Sequence, residues 1–123
     1  RLGTSPAPAA ESSGPVIDGS TQTFMQDVIQ ASMEQPVIVD FWAPWCGPCR
    51  MMAPQFEQAA AQLEPQVRLA KVDTEAEPAL GSRFGIRSIP TMALFSGGRE
   101  VARQAGAMGV ADIVRWARSN LPG

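Results

Sequence analysis

The sequence contains no histidine. Ser-His-Asp triads and Cys-His pairs both depend on an imidazole base, so neither form of nucleophilic catalysis is open to this chain. Cysteine is nearly as scarce, with 2 residues, Cys46 and Cys49. A structural zinc site takes four ligands, usually Cys or His, which leaves a metal shared between two chains as the only arrangement of that kind. The apolar runs around Val37 and Ala93 fall far short of the roughly 20 residues that span a bilayer. Charge is sparse and balanced, 10 basic against 12 acidic residues for a formal −2. Without a basic block there is no electrostatic footprint for nucleic acid or for an anionic membrane, and the expectation is a soluble protein with neither partner.

What is present suffices for one domain: 123 residues, 45% of them hydrophobic, bury a core without cross-links. Residues 1–15, rich in Ser, Pro, Ala and Gly, read as a flexible tail, and residues 16–123 as the domain. A short strand is expected at Val16-Ile17. Ser20 or Thr21 then caps a helix whose Phe24, Val28 and Met33 form a buried stripe ending before Pro36. Val37 to Trp42 is almost continuously apolar, as a strand covered on both faces requires. Cys49, Met52, Phe56, Ala59 or Ala60, and Leu63 recur at helical spacing, with Pro54 expected to kink that helix.

Val67 to Asp73 reads as a second interior strand, and about Pro78 to Phe84 as a short helix. Thr91–Phe95 and Val101–Ala105 flank Gly97-Gly98 as an antiparallel hairpin. Val110, Ile113, Val114, Ala117 and Leu121 give a last amphipathic helix, with Gly109 as a weak cap and Asp112 in its first turn; Trp116 falls off its stripe. Strands alternating with helices and ending in a hairpin define an α/β fold, a central mixed sheet flanked by helices on both faces.

Both cysteines lie where an interior strand runs straight into a helix. Cys46 falls at the helix start, where free N–H groups and the positive end of the dipole stabilise a thiolate; it is expected to be the nucleophile. Cys49, one turn on and better covered, is within reach for a disulfide and is expected to be the resolving thiol. A Cys46–Cys49 bridge closes too short a loop to restrain the unfolded chain much, so its value is chemical. The exchange needs neither metal nor organic cofactor. The bland reading is a pair of ordinary buried cysteines, or half of a metal site between chains.

The run Trp42-Ala43-Pro44-Trp45-Cys46-Gly47-Pro48-Cys49 resembles the active-site signature of the thioredoxin family. The similarity extends from about Val16 to Leu121, through Lys71-Val72-Asp73, Gly85-Ile86-Arg87, Ile89-Pro90-Thr91, Phe95 with Gly97-Gly98, and Gly106-Ala107. It implies the thioredoxin fold and reduction of protein disulfides in a bacterial cytoplasm, by a monomer that serves electron transport and redox homeostasis. It also implies recycling by thioredoxin reductase, with NADPH entering only through that partner. Bacterial thioredoxins of a second type carry a zinc segment ahead of this domain, and no such cysteine cluster occurs here.

The resemblance also assigns roles. Asp40, a carboxylate within an apolar strand, is costly to bury, and burial should raise its pKa; the family makes it the base that serves Cys49, through water. Its bland alternative is a strand-end aspartate facing solvent. Lys71 matches the family's lysine near that carboxylate, the alternative being a snorkelling surface lysine. Pro90 is implied to follow a cis bond, with the Ile89 backbone pairing with an extended substrate. Trp45, Gly47, Pro48, Ile89, Pro90, Gly106 and Ala107 would line a shallow apolar groove, and Trp42 would pack beneath it or simply fill core. Pro44, Arg50, Thr74 and Ser88 depart from the common bacterial pattern and bear on partner preference. Two other readings stand beside the reductase: an oxidising or periplasmic thiol-disulfide protein, which Gly47-Pro48 argues against, and a non-enzymatic thioredoxin-fold binding subunit.

Overall fold

The computed structural model describes residues 16–122, so the expected tail, residues 1–15, lies outside the described residues. In chain order the elements are β1 (Ile17–Asp18), α1 (Met25–Gln30) running into a 3-10 turn (Ala31–Met33), β2 (Val37–Trp42), α2 (Gly47–Leu63), β3 (Arg68–Asp73), α3 (Pro78–Arg83), β4 (Thr91–Ser96), β5 (Arg99–Ala105) and α4 (Val110–Ser119). The strands form one sheet in the order β1-β3-β2-β4-β5. β1 and β2 run parallel to β3, whereas β4 runs antiparallel to both β2 and β5. This is the mixed sheet the alternation of strand and helix signals predicts.

The near-unbroken apolar run of β2 places it in the middle, with Val37 through Phe41 all buried. Because successive side chains of a strand point to opposite faces, its residues divide between two cores. Val37, Val39 and Phe41 join Ala70, Val72, Ala93 and Phe95 beneath Phe24, Val28 and Leu80. Ile38, Leu69, Met92 and Leu94 face the other way, onto Met52, Phe56 and Leu63 of α2 and Ile113 and Ala117 of α4. Asp40 and Lys71 have the parity of Ile38 and Leu69, and they are paired partners across the β2–β3 ladder. Sheet geometry alone therefore turns both toward the layer that carries the cysteines.

The helical stripe of α2 is as predicted, and the helix runs on through Pro54 to Leu63. The β4–β5 connection is a two-residue turn, Gly97-Gly98, both at positive φ (64° and 88°), a combination that favours glycine. The register shifts after Leu94, so Val101 is left over as a bulge residue and is exposed. Trp116 packs, half-buried, at the edge of the α2–α4 core.

One expectation fails. Met33 is exposed, and Ser32 is buried in its place. α1 is π-wound and then tightens into the 3-10 turn, so positions chosen at 3.6-residue spacing drift off the buried face. Ser32 works there as a clamp: its Oγ donates to the Ile29 carbonyl (2.6 Å) and accepts from Gly98 N–H (2.9 Å), while its carbonyl accepts from Gly97 N–H (2.9 Å). Ser32→Ala strips a buried partner from the hairpin turn, and urea unfolding should record a loss of about 1–3 kcal/mol. A change within experimental error would show that water replaces the hydroxyl there.

The N-cap of α1 is Phe24, which makes no side-chain cap bond; Ser20 acts one turn earlier, its Oγ accepting from Thr23 N–H while Thr23 Oγ1 accepts from Ser20 N–H, both at 3.2 Å. Thr21 instead ties this helix entry to α3, donating its N–H and Oγ1 to Glu77 Oε1 at 2.7 and 2.8 Å.

Candidate active site around Cys46 and Cys49

β2 ends at Trp42, and the chain turns through Pro44 and Trp45, closed by Cys46 N–H donating to the Ala43 carbonyl at 3.1 Å. Cys46 is the N-cap of α2, with extended backbone (φ −88°, ψ 110°), and Pro48 sits in the first turn, where its missing N–H is not needed. Cys46 Sγ accepts from Cys49 N–H at 3.2 Å. That bond and the dipole of the 17-residue helix favour negative charge on this sulfur. The two cysteines are joined in a disulfide with Cα atoms 5.2 Å apart. Cys46 keeps 6% of its surface in contact with solvent and Cys49 only 2%. Cys46 Sγ also lies 3.8 Å from the Ile89 carbonyl oxygen. As a half-cystine it has no proton to give; as a thiol it can donate there.

Behind the disulfide is a cavity of ≈ 210 Å³ walled by Asp40, Trp42, Cys49, Phe56 and Lys71. Asp40 is 3% exposed, which removes the reading of a strand-end aspartate facing solvent. Its Oδ1 has no hydrogen-bond partner among the described residues. Burial pushes its pKa up to about 7, and the charge of Lys71 pulls the other way. Lys71 is not committed to Asp40: its Nζ is 4.0 Å from the exposed Asp18 Oδ1 and lies over the Trp42 ring, 5.3 Å from the centroid. Both readings of this lysine thus describe part of it, the stem along apolar surface and the head within the field of the carboxylate. Trp42 packs against the cysteines from below, and its buried Nε1 lacks a partner among the described residues.

Arg50 and Glu57 also wall this cavity, and sequence reasoning assigned neither of them to the site. The signal was available: positions 50, 53 and 57 repeat the three-and-four spacing of Cys49, Met52 and Phe56, one residue on, and so flank the buried stripe. Arg50 Nη1 donates to the Pro44 carbonyl at 3.1 Å, bracing the turn ahead of Cys46.

The expected docking groove is divided. Trp45, 67% exposed, and Ile89 belong to a depression of ≈ 200 Å³ shared with Thr74, Ile86, Arg87 and Ser88. Thr74 turns its hydroxyl inward to the Trp42 carbonyl, 3.0 Å away. The Ile89–Pro90 bond is cis, as the resemblance implies, and Pro90 is buried. Gly106 donates its N–H to the Pro90 carbonyl at 2.9 Å, from a positive φ of 100° that favours glycine. Ala107 lines a second, separate shallow depression with Met51, Met52, Gln55 and Met108, a methionine-rich wall the sequence reading did not identify. Gly47 and Pro48, at the start of α2, line neither depression. Another cis bond, Glu64–Pro65, has no sequence signal to set it apart from the trans default. Among the described residues no group of three or more His, Cys, Asp or Glu could hold a metal ion, and no helix is long and apolar enough to cross a membrane.

Comparison with known proteins gives a consistent result. The family model described as Thioredoxin matches residues 15–119. The chain is 50% identical over 86 residues to thioredoxin 1 of Synechococcus elongatus, covering 70% of this chain and 78% of that protein. It is 47% identical over 100 residues to thioredoxin C-3 of Corynebacterium nephridii, covering 81% and 67%. It is also 43% identical over 106 residues to the bifunctional thioredoxin reductase/thioredoxin of Mycobacterium leprae, covering 86% of this chain and 23% of that much longer one.

Proposed function

The chain belongs to the thioredoxin family, and from that premise we propose how its residues divide the work of the reaction. The protein is a thiol-disulfide oxidoreductase of the thioredoxin type that reduces protein disulfides. The carrying observation is the placement of one sulfur at a helix N-cap while the second shares a cavity with a buried carboxylate whose Oδ1 has no partner among the described residues.

In the reduced protein the Cys46 thiolate, held by Cys49 N–H and the helix end, attacks one sulfur of the substrate disulfide. A Cys46–substrate bond forms, and the substrate's other sulfur leaves as a thiolate that takes a proton from solvent. Cys49 then loses its proton to Asp40, through water in the cavity, and attacks Cys46 Sγ. The Cys46–Cys49 bond forms, the second substrate sulfur leaves and is protonated, and Asp40 returns its proton to solvent. Two electrons have moved from the dithiol to the substrate, which ends as two thiols. Lys71 tempers the charge on Asp40, and Trp42 supports the cysteines from beneath.

Trp45, Gly47, Pro48, Ile89, Pro90, Gly106 and Ala107 form the docking surface around Cys46, on both sides rather than in one trough. Trp45→Ala tests this. An exposed side chain removed from a turn should change stability by less than about 1 kcal/mol, while KM for insulin rises several-fold; an unchanged KM would take Trp45 out of the docking surface.

Thioredoxin reductase is the proposed electron donor, so that electrons pass from NADPH to substrate through the Cys46–Cys49 pair in the cytoplasm of a bacterium, with the protein acting as a monomer. The Mycobacterium leprae relative, whose name joins a thioredoxin reductase and a thioredoxin in one chain, supports that pairing. Insulin reduction driven by NADPH and thioredoxin reductase tests it. Activity with dithiothreitol alone would move the donor elsewhere, and a redox potential above about −180 mV would turn the assignment toward an oxidant.

A further inference from the structure

Arg50 and Arg87 line the two hollows beside the cysteines, and of the four arginines Arg50, Arg83, Arg87 and Arg103 three are occupied. Arg50 braces the Pro44 carbonyl. Arg83 lies over the rings of Phe84 and Phe24, 5.0 and 6.0 Å from their centroids. Arg103 is held by Glu100 through Nε at 2.6 Å and Nη2 at 2.8 Å, and by the Phe84 carbonyl at 2.6 Å. Arg87 has no ion pair, hydrogen bond or aromatic partner among the described residues, and it is exposed in the depression beside Trp45 and Ile89. Among the described residues no carboxylate lines that depression; Thr74 and Ser88 are its polar walls.

Position makes the free guanidinium relevant to the chemistry. Ile89 is both a wall of the depression and the residue whose carbonyl lies 3.8 Å from Cys46 Sγ. A substrate bound along the Ile89 backbone, as in the reading given above on which this step rests, is extended. Residues two apart in an extended chain share a face, so a side chain two positions from the attacked cysteine falls on the same side as its sulfur. A carboxylate placed there in the depression would be offered the guanidinium's fork of donors, and neither a neutral nor a cationic side chain makes the same charge-assisted bonds.

We propose that Arg87 is a specificity-determining residue, favouring protein disulfides whose cysteine has an Asp or Glu two positions away. The surface it acts on thus takes an acidic segment of an extended substrate, although the protein as a whole carries a net charge of −2.

The test uses peptide dimers joined by a single disulfide, with Glu, Gln or Lys two positions before or two after the cysteine, reduced by the full-length protein with dithiothreitol as donor. In one of the two placements the Glu peptide should exceed the Lys peptide in kcat/KM by about fivefold at low ionic strength, the upper end for exposed charge pairs. The ratio should shrink in about 0.5 M salt. Arg87→Gln should bring it close to one, and Arg87→Glu should invert it. Each ratio is taken within one protein sample, so partial misfolding of a variant cancels. Equal kcat/KM for all peptides in the unaltered protein, or a ratio that survives Arg87→Gln, overturns the assignment. Failure to reduce any peptide would instead overturn the disulfide-reductase reading, and the assignment with it.

Discussion

Replacing Cys46 by serine should lower disulfide reduction by on the order of 10⁴-fold or more, the scale of losing an essential nucleophile. Cys49 cannot substitute, because only 2% of its surface meets solvent and it lies against the cavity rather than the docking surface. Cys49→Ser should fail differently. Its first step proceeds, no resolving thiol follows, and the protein accumulates covalently bonded to its substrates through Cys46. Mass spectrometry of the variant mixed with an oxidised substrate should show a one-to-one adduct that dithiothreitol releases. Turnover by Cys46→Ser, or no adduct with Cys49→Ser, would reverse or remove the two roles. The pair of variants also separates a reductase from a binding subunit, since a scaffold keeps its biological activity when both sulfurs are gone.

The sequence made this division of roles legible because two periodicities meet at the cysteines. The β-branched run of β2 and the three-and-four spacing from Cys49 to Leu63 can each be satisfied in one way, and their junction puts Cys46 at a helix start. The same period-two logic places Asp40 on the face of Ile38, so its burial behind Cys49 follows once that layer is known to be α2. Legibility failed where the backbone left these regular periods. α1 is π-wound, so Ser32 rather than Met33 faces inward. The docking surface depends on how three loops converge, so the methionine wall beside Ala107 and the free Arg87 beside Trp45 emerged only with the fold. Glu57 was missed for a different reason: a polar residue flanking an apolar stripe reads as solvated surface until the sheet opposite it is known to carry a carboxylate.

Asp40→Asn should stabilise the oxidised protein above neutral pH while slowing its chemistry, a combination a purely structural carboxylate does not produce. The carboxyl's pKa rises on folding from 3.8 to about 7, chiefly because burial penalises the charged form. Folded protein therefore holds the proton more tightly than unfolded chain, and the linkage sign follows. Below about pH 4 the group is neutral in both states and costs nothing by this route. As pH climbs through the window between the two values, stability is progressively lost, and above about pH 7 the full penalty applies, on the order of 4 kcal/mol at about 1.4 kcal/mol per unit. An asparagine amide never ionises, and its burial costs about as much as that of the neutral carboxyl, so the net gain in urea unfolding should be on the order of 4 kcal/mol at pH 8 and close to zero near pH 4. In single-turnover experiments the resolving step of the unaltered protein should accelerate as pH rises through about 7, as Asp40 becomes able to accept the Cys49 proton. The variant should lose that inflection and run about 10²-fold slower, the lower end for a positioned general base. A stability gain that is the same at pH 4 and pH 8 would show that folding leaves the pKa of Asp40 unchanged, and a retained inflection would assign the proton transfer to a group other than Asp40.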